Sequence, residues 1–401
     1  METKRSKVVI AAGLLIMSLT MACNSALAPI LAEVGKSFPE AGDANIQIVL
    51  TLINLITLPM MLLEPRLERF MTKRDVAILG TFFMLVGGLL PQFLNTELWM
   101  LYVASVVIGT GLSLVVVTSS SLISDYFTGI DKSRIMGYQS IFVSIGGTII
   151  AKGSGSFTAA WGWEKGYLVF LIAVPIIIAI FSMVPKGKVV PPVSEGQSGI
   201  DRRMVYFGLL CLVTGIFVAI FNTNLAMYLD RKGIGDAATA GTVASIMQVV
   251  GILGGLMLGM VVKTFKRFTI GVAILLMGAA TFVVGTSTSI PMICVGAFLF
   301  GIGFAIRNPG AVTFGANMVP AAQASMAIAI ISATYNVGNF ISGYLVNPIA
   351  DMMGDDISNR FIVAAIGLFA TGVLALVKAP TTDQEALDSQ GESVEHQVQE
   401  A

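Results

Sequence analysis

Two basic residues stand where charge is costly. Arg307 sits in the apolar stretch 298–314, FLFGIGFAIRNPGAVTF, with no other charge in it. An arginine cannot shed its proton there, and a bare charge in hydrocarbon is expensive. Its planar fork matches a carboxylate or phosphate at two points. Arg307 therefore either faces a wet cavity and binds a ligand, or is neutralised within the protein and ties helices together. Asn308, Pro309 and Gly310 follow at once. Pro309 removes one helix hydrogen bond, so a kink is expected beside the charge. Lys152 is the second basic residue inside an apolar stretch. It either contributes to the same anion site or extends its ammonium to the interface.

Carboxylates are placed differently. Glu33, Glu64 and Asp125 lie at the ends of apolar stretches. They are the candidates for proton coupling, since burial would raise a carboxyl pKa towards neutrality. Neutral polar side chains lie deeper. Asn24, Asn54, Asn222, Asn224, Gln248, Asn308, Tyr335, Asn336 and Asn339 can donate and accept hydrogen bonds along a solute path. Gln139 and Ser144 are similar in kind. Helix–helix hydrogen bonding is the other use for such residues.

Elements of one kind must hold these side chains. The chain has 401 residues, 55% hydrophobic and 12% charged, against about 25% charged in soluble proteins. It reads as an all-α polytopic membrane protein. Twelve apolar spans are expected, at 8–30, 46–67, 75–94, 98–123, 135–158, 166–184, 204–229, 238–262, 269–288, 291–315, 323–349 and 360–378. Each is near the 20 residues needed to cross a bilayer. With the N-terminus in the cytoplasm, 17 of the 24 lysines and arginines fall in cytoplasmic segments and 5 outside. That asymmetry obeys the positive-inside rule. It puts both termini in the cytoplasm of a cell membrane protein.

Several activities are excluded. His396, the single histidine, lies in a polar tail, which removes Ser-His-Asp catalysis and most zinc sites. Cys23, Cys211 and Cys294 lie inside apolar spans, without metal or disulfide spacing. There is no G-x4-G-K-[ST] phosphate loop. Net charge is zero, so no nucleic-acid partner is indicated. No enzyme and no cofactor is expected.

The stretch 185–203, with Pro191, Pro192 and Gly196, divides the spans six and six. The expected domains are 1–184, a cytoplasmic linker 185–203, 204–379, and a disordered acidic tail 380–401. The halves echo each other: Gly109-Thr-Gly111 in span 4 parallels Gly301-Ile-Gly303 in span 10. Six-span internal repeats belong to a large transporter class.

On these residues the chain resembles the major facilitator superfamily of transporters over 8–378. The most specific match lies between spans 2 and 3, where Pro65, Glu68, Arg69, Lys73 and Arg74 fit G-P-L-x-D-R-x-G-R-R/K in kind. Glu64 and Met71 replace its two glycines. The resemblance implies that Glu64, Glu68, Arg69, Lys73 and Arg74, with Asp125 and Arg134, control a cytoplasmic gate. The alternative is that these cations only set topology. Ala28-Pro29 and Trp161-Gly162-Trp163 resemble segments of the twelve-span drug:proton antiporter-like branch. Gly137, Gly146 and Gly155 partly match its span 5 motif, where Ile150, Ala151 and Ser154 depart from it. Close helix packing is the other role for those glycines.

Two cations without a mid-span carboxylate favour a secondary transporter of a small, polar, anionic organic solute, working by alternating access. A proton-driven multidrug efflux antiporter is the alternative. A membrane sensor would need an output domain for which neither linker nor tail has room. The expected partners are the solute, the lipid bilayer, and a coupling proton or a counter-transported anion, in a monomer.

Overall fold

A computed structural model describes residues 6–67, 70–127, 129–186, 202–317 and 324–377. Glu68, Arg69, the side chain of Glu64, the 187–201 segment and residues 378–401 lie outside the described residues. What is described is all helix and turn.

Twelve rods follow one another. The first is α1 (Lys7–Ser18) and α2 (Leu31–Ser37), joined by 3-10 turns at Cys23–Ala26 and Ala28–Ile30. Rods two to five are α3 (Asp43–Leu67), α4 (Lys73–Leu89), α5 (Leu98–Tyr126) and α6 (Gly129–Trp161). The sixth is α7 (Trp163–Gly166), a 3-10 stretch Tyr167–Ile172, and α8 (Ala173–Met183). Rods seven to twelve are α9 (Arg202–Arg231), α10 (Ala237–Phe265), α11 (Thr269–Thr286), α12 (Ile290–Asn317), α13 (Ala324–Asp351) and α14 (Ser358–Val377). Among the described residues, 8 stretches are long and apolar enough to cross a membrane. Asp43–Thr57 and Ala237–Leu253 are shorter apolar pieces.

Local signals set the ends. Thr72 accepts the Asp75 amide at 3.3 Å and starts α4. Gly233, at φ 65, turns the chain away from α9 in a conformation that side chains disfavour. Large apolar side chains stay exposed along the rods: Phe82, Trp99, Ile149, Ile178, Phe181, Ile366 and Val373. Water would not tolerate this surface, but lipid matches it.

The rods up to α8 pack mainly among themselves, and so do those from α9 onward. Two long seams join the sets, α3 against α13 and α6 against α10. In rod number these are 2 with 11 and 5 with 8, a two-fold pairing. The repeated Gly-x-Gly explains the symmetry at atomic scale. A Cβ on Gly109 would lie 2.8 Å from the Ile53 carbonyl on rod 2, and one on Gly111 2.4 Å from the Gly80 carbonyl on rod 3. A Cβ on Gly301 would lie 3.0 Å from Met247 on rod 8, and one on Gly303 2.9 Å from Ala273 on rod 9. The same spacing admits the same two neighbours in each set.

The first rod differs from the single helix expected over 8–30. It is longer and broken between residues 19 and 30. Ser18 and Thr20 donate back to the Leu14 and Met17 carbonyls, both at 2.8 Å, which bends helices. Pro29 then withholds an amide hydrogen. Helix α6 holds the break in place: Ser154 donates to the Ala26 carbonyl at 2.6 Å, and Ser25 to the Gly147 carbonyl at 3.2 Å.

Candidate functional site

The face carrying residue 6 is called the near face, and the opposite one the far face. Arg307 lies ten residues before the near end of α12, Cys211 nine into α9 and Tyr335 eleven into α13. At 1.5 Å per residue all three lie about 15 Å in from the near ends of these rods, roughly a third of the length of helices of 28 to 30 residues. They meet there. The Arg307 guanidinium lies 4.2 Å over the Tyr335 ring centre, and the Cys211 side chain is near enough to feel its charge. Asn339, one turn beyond Tyr335, donates to the Tyr335 carbonyl at 2.9 Å.

Arg307 is 2% exposed, and its Nε and Nη2 have no hydrogen-bond partner. Among the described residues no carboxylate pairs with it. A ring face offsets about 0.5–2 kcal/mol of such a charge, far less than a paired anion would. Asn308 and Pro309 beside it are exposed, and α12 runs on through Pro309.

Other candidates divide by place. Asn24 lies half-buried in the break of the first rod. Gln248 lies against Gly147, where a Cβ would meet it at 2.8 Å, and next to Ala22. Gln139 donates to Ser119 at 2.7 Å within the first set, and Ser144 is buried. Asn54, Asn222 and Asn336 are half-buried. Lys152 does not join Arg307. It is exposed on the same stripe of α6 as Ile145 and Ile149, 39% and 53% exposed. Nine residues separate it from the far end of α6, a placement that supports the snorkelling alternative.

At the near face, Lys73 pairs with Asp125 at 2.7 Å, and Asp75 with Lys186 at 3.6 Å and Arg74 at 3.7 Å. Arg74 also stacks on Phe181. These contacts tie rods 3, 4 and 6 of one set. Arg134 is exposed. Glu64, Glu68 and Arg69 cannot be placed, lying outside the described residues as side chains.

The far face carries a cluster that the spacing of charges in the sequence does not reveal. Asp43 on α3 accepts from Arg231 at 2.6 Å and from Arg360 at 2.5 Å, both from the second set. Lys36 bridges Glu33 at 2.8 Å and Asp230 at 2.5 Å. Below them Gln47 donates to Asn224 at 2.9 Å and accepts from Asn347 at 3.3 Å. Tyr344 donates to Asn45 at 2.5 Å. Burial alone would raise the Asp43 pKa, but hydrogen bonds from Arg231 and Arg360 outweigh it and hold the carboxyl below its usual range. The far face is thus closed by ion pairs between the two sets.

The family model "Major Facilitator Superfamily" matches residues 10–280 and 207–397. An uncharacterised MFS-type transporter of Methanocaldococcus jannaschii is 22% identical over 322 residues, which is 76% of this chain and 81% of that protein. The crystal structure of a mutant of the nucleoside transporter NupG superposes with TM-score 0.71 at 13% identity, covering 92% of this chain and 99% of that one. The POT family transporter PepTSo superposes with TM-score 0.75 at 10% identity, covering 94% and 98%. Paired six-rod sets, a broken first rod and a buried charge inside the bundle sit within that family match, and the chain belongs to the Major Facilitator Superfamily, whose members are membrane transporters and not enzymes.

Proposed function

We propose that this secondary transporter moves a small, polar, anionic organic solute by alternating access, with Arg307 as the cation that binds it. The observation that carries the reading is the guanidinium inside the bundle, 2% exposed, with Nε and Nη2 unpartnered. Leaving such a group bare costs several kcal/mol, and an anionic ligand would offset that cost whenever it binds. Tyr335 supplies a ring face beside the charge, and Cys211 a small soft wall. The acids of the described rods all lie towards rod ends, which disfavours a lipophilic cation as cargo.

The near face is the cytoplasmic one in this reading, because most lysines and arginines lie there. The far face, shut by Asp43, Arg231 and Arg360, is then the outer gate, and the arrangement is outward-closed. The deciding experiment is uptake and efflux in proteoliposomes against a panel of organic anions, with and without a pH gradient. Transport of one anion class is the expected result. Transport of lipophilic cations driven by the pH gradient, with no anion moved, would replace this reading by multidrug efflux.

A further inference from the structure

The far-face cluster has the makeup of an anion site with a carboxylate already in it. Each oxygen of Asp43 takes one guanidinium: Oδ1 accepts from Arg231 Nη2 at 2.6 Å, and Oδ2 from Arg360 Nη1 at 2.5 Å. Arg360 is 6% exposed, rare for an arginine. Its Nη1 also reaches Asn224 Oδ1 at 3.2 Å and its Nη2 reaches Asp351 Oδ1 at 3.4 Å, while its Nε is buried without a partner. An open hollow at the surface adjoins, lined by Asp43, Asn45, Tyr344, Asn347, Asp351 and Arg360.

The ownership of these groups matters. Both arginines, Asn224 and Asp351 belong to the second set, and Asp43 to the first. When the sets part at this face, Asp43 leaves with α3. Arg231 and Arg360 stay behind at the ends of α9 and α14, with the exposed Asp351 as the remaining carboxylate near Arg360. Two guanidinium groups left side by side repel each other once their shared carboxylate has gone, so the opened face would favour a replacement anion.

We infer that Arg231 and Arg360 form a second anion site at the far mouth, whose ligand is a small carboxylate, and that Asp43 is a tethered occupant filling it when the face is shut. Two guanidinium groups, each meeting one oxygen, suit a carboxylate. This site stands apart from Arg307 and does not rest on it.

The test is chemical replacement. Asp43→Ala removes the occupant and adds no bulk. Melting of the purified variant is compared in sodium acetate and in sodium chloride at equal ionic strength. Acetate is expected to raise the melting temperature of Asp43→Ala in a concentration-dependent way, and to leave wild type unmoved. The response should vanish in Asp43→Ala/Arg360→Gln and persist in Asp43→Ala/Arg307→Gln. No acetate effect beyond chloride would overturn the proposal. So would a response that survives in Asp43→Ala/Arg360→Gln, or one that Arg307→Gln removes. Should Asp43→Ala not fold, Thr51→Cys, one turn below Gln47, reports instead, in a chain lacking Cys23, Cys211 and Cys294. Acetate competing with Asp43 should speed its labelling by an impermeant maleimide several-fold over chloride, and an unchanged rate would equally end the proposal.

Discussion

Arg307 and Asp43 carry opposite charges in opposite circumstances. Arg307 is buried with two unpartnered nitrogens, whereas Asp43 has both oxygens paired. If Arg307 binds the solute, Arg307→Gln should weaken binding at least tenfold, about 1.4 kcal/mol. Arg307→Lys should keep part of it, because the charge stays while the two-point grip goes. Solute-induced thermal stabilisation of the purified variants measures both. Unchanged affinity in a well-folded Arg307→Gln protein would leave Arg307 a structural residue. Asp43 yields a pH statement. Its carboxyl is held below the usual range, so its stabilisation is full above about pH 4 and is lost only as pH falls through the lower folded value. Arg231 and Arg360 face it, Asp351 lies beyond Arg360, and Lys36 and Asp230 line the same hollow. Labelling of Thr51→Cys from the far side, taken relative to an exposed reference cysteine so that the thiolate fraction cancels, should therefore stay constant between pH 5 and pH 8. An increase on acidification within that window would make Asp43 a proton switch.

At the scale of elements, the break in the first rod depends on glycine in α6. A Cβ on Gly146 would lie 2.0 Å from the Leu19 carbonyl, where backbone cannot yield as a flexible side chain would. Gly146→Ala should destabilise by about 1–3 kcal/mol, the usual cost of overpacking. Gly137, one of the same sequence series, has nothing within 4 Å of its Cβ position. Gly137→Ala should be neutral, or stabilise by up to about 1 kcal/mol through helix propensity. Melting of the two purified variants checks the contrast, and equal effects would mean that α6 does not hold the break. Gly155 resembles Gly146: its Cβ would come 2.4 Å from the Ala237 carbonyl across the α6–α10 seam. The sequence motif thus mixes glycines needed for close approach with one that is not.

For the whole molecule, the two seams and the ionic far face describe a body closed on one side. Orientation remains a prediction from charge asymmetry. Cysteines placed at Ser194 and Ser389, in a chain without the native three, should react with impermeant maleimide only after the membrane is permeabilised. Labelling of intact cells would reverse the orientation, and with it the assignment of the outer gate.

Hydropathy alone determined that this is a bundle of membrane-crossing helices, and a six-and-six division with an echoed Gly-x-Gly pointed to two related sets. Those features are written locally, because about 20 apolar residues in a row leave lipid as the matching solvent. The charge of Arg307 was equally legible, since one arginine in an apolar run is visible without neighbours. Its surroundings were not: Cys211, Tyr335 and Arg307 come from three rods. Lys152 looks like Arg307 in sequence, yet faces an exposed stripe, because a helix turns 100° per residue and one face says nothing of the next. Asp43, Arg231 and Arg360 read only as charges at span ends. Tertiary structure alone decided that they meet, since an ion pair between residues 43 and 360 exists only where α3 and α14 bring their ends together.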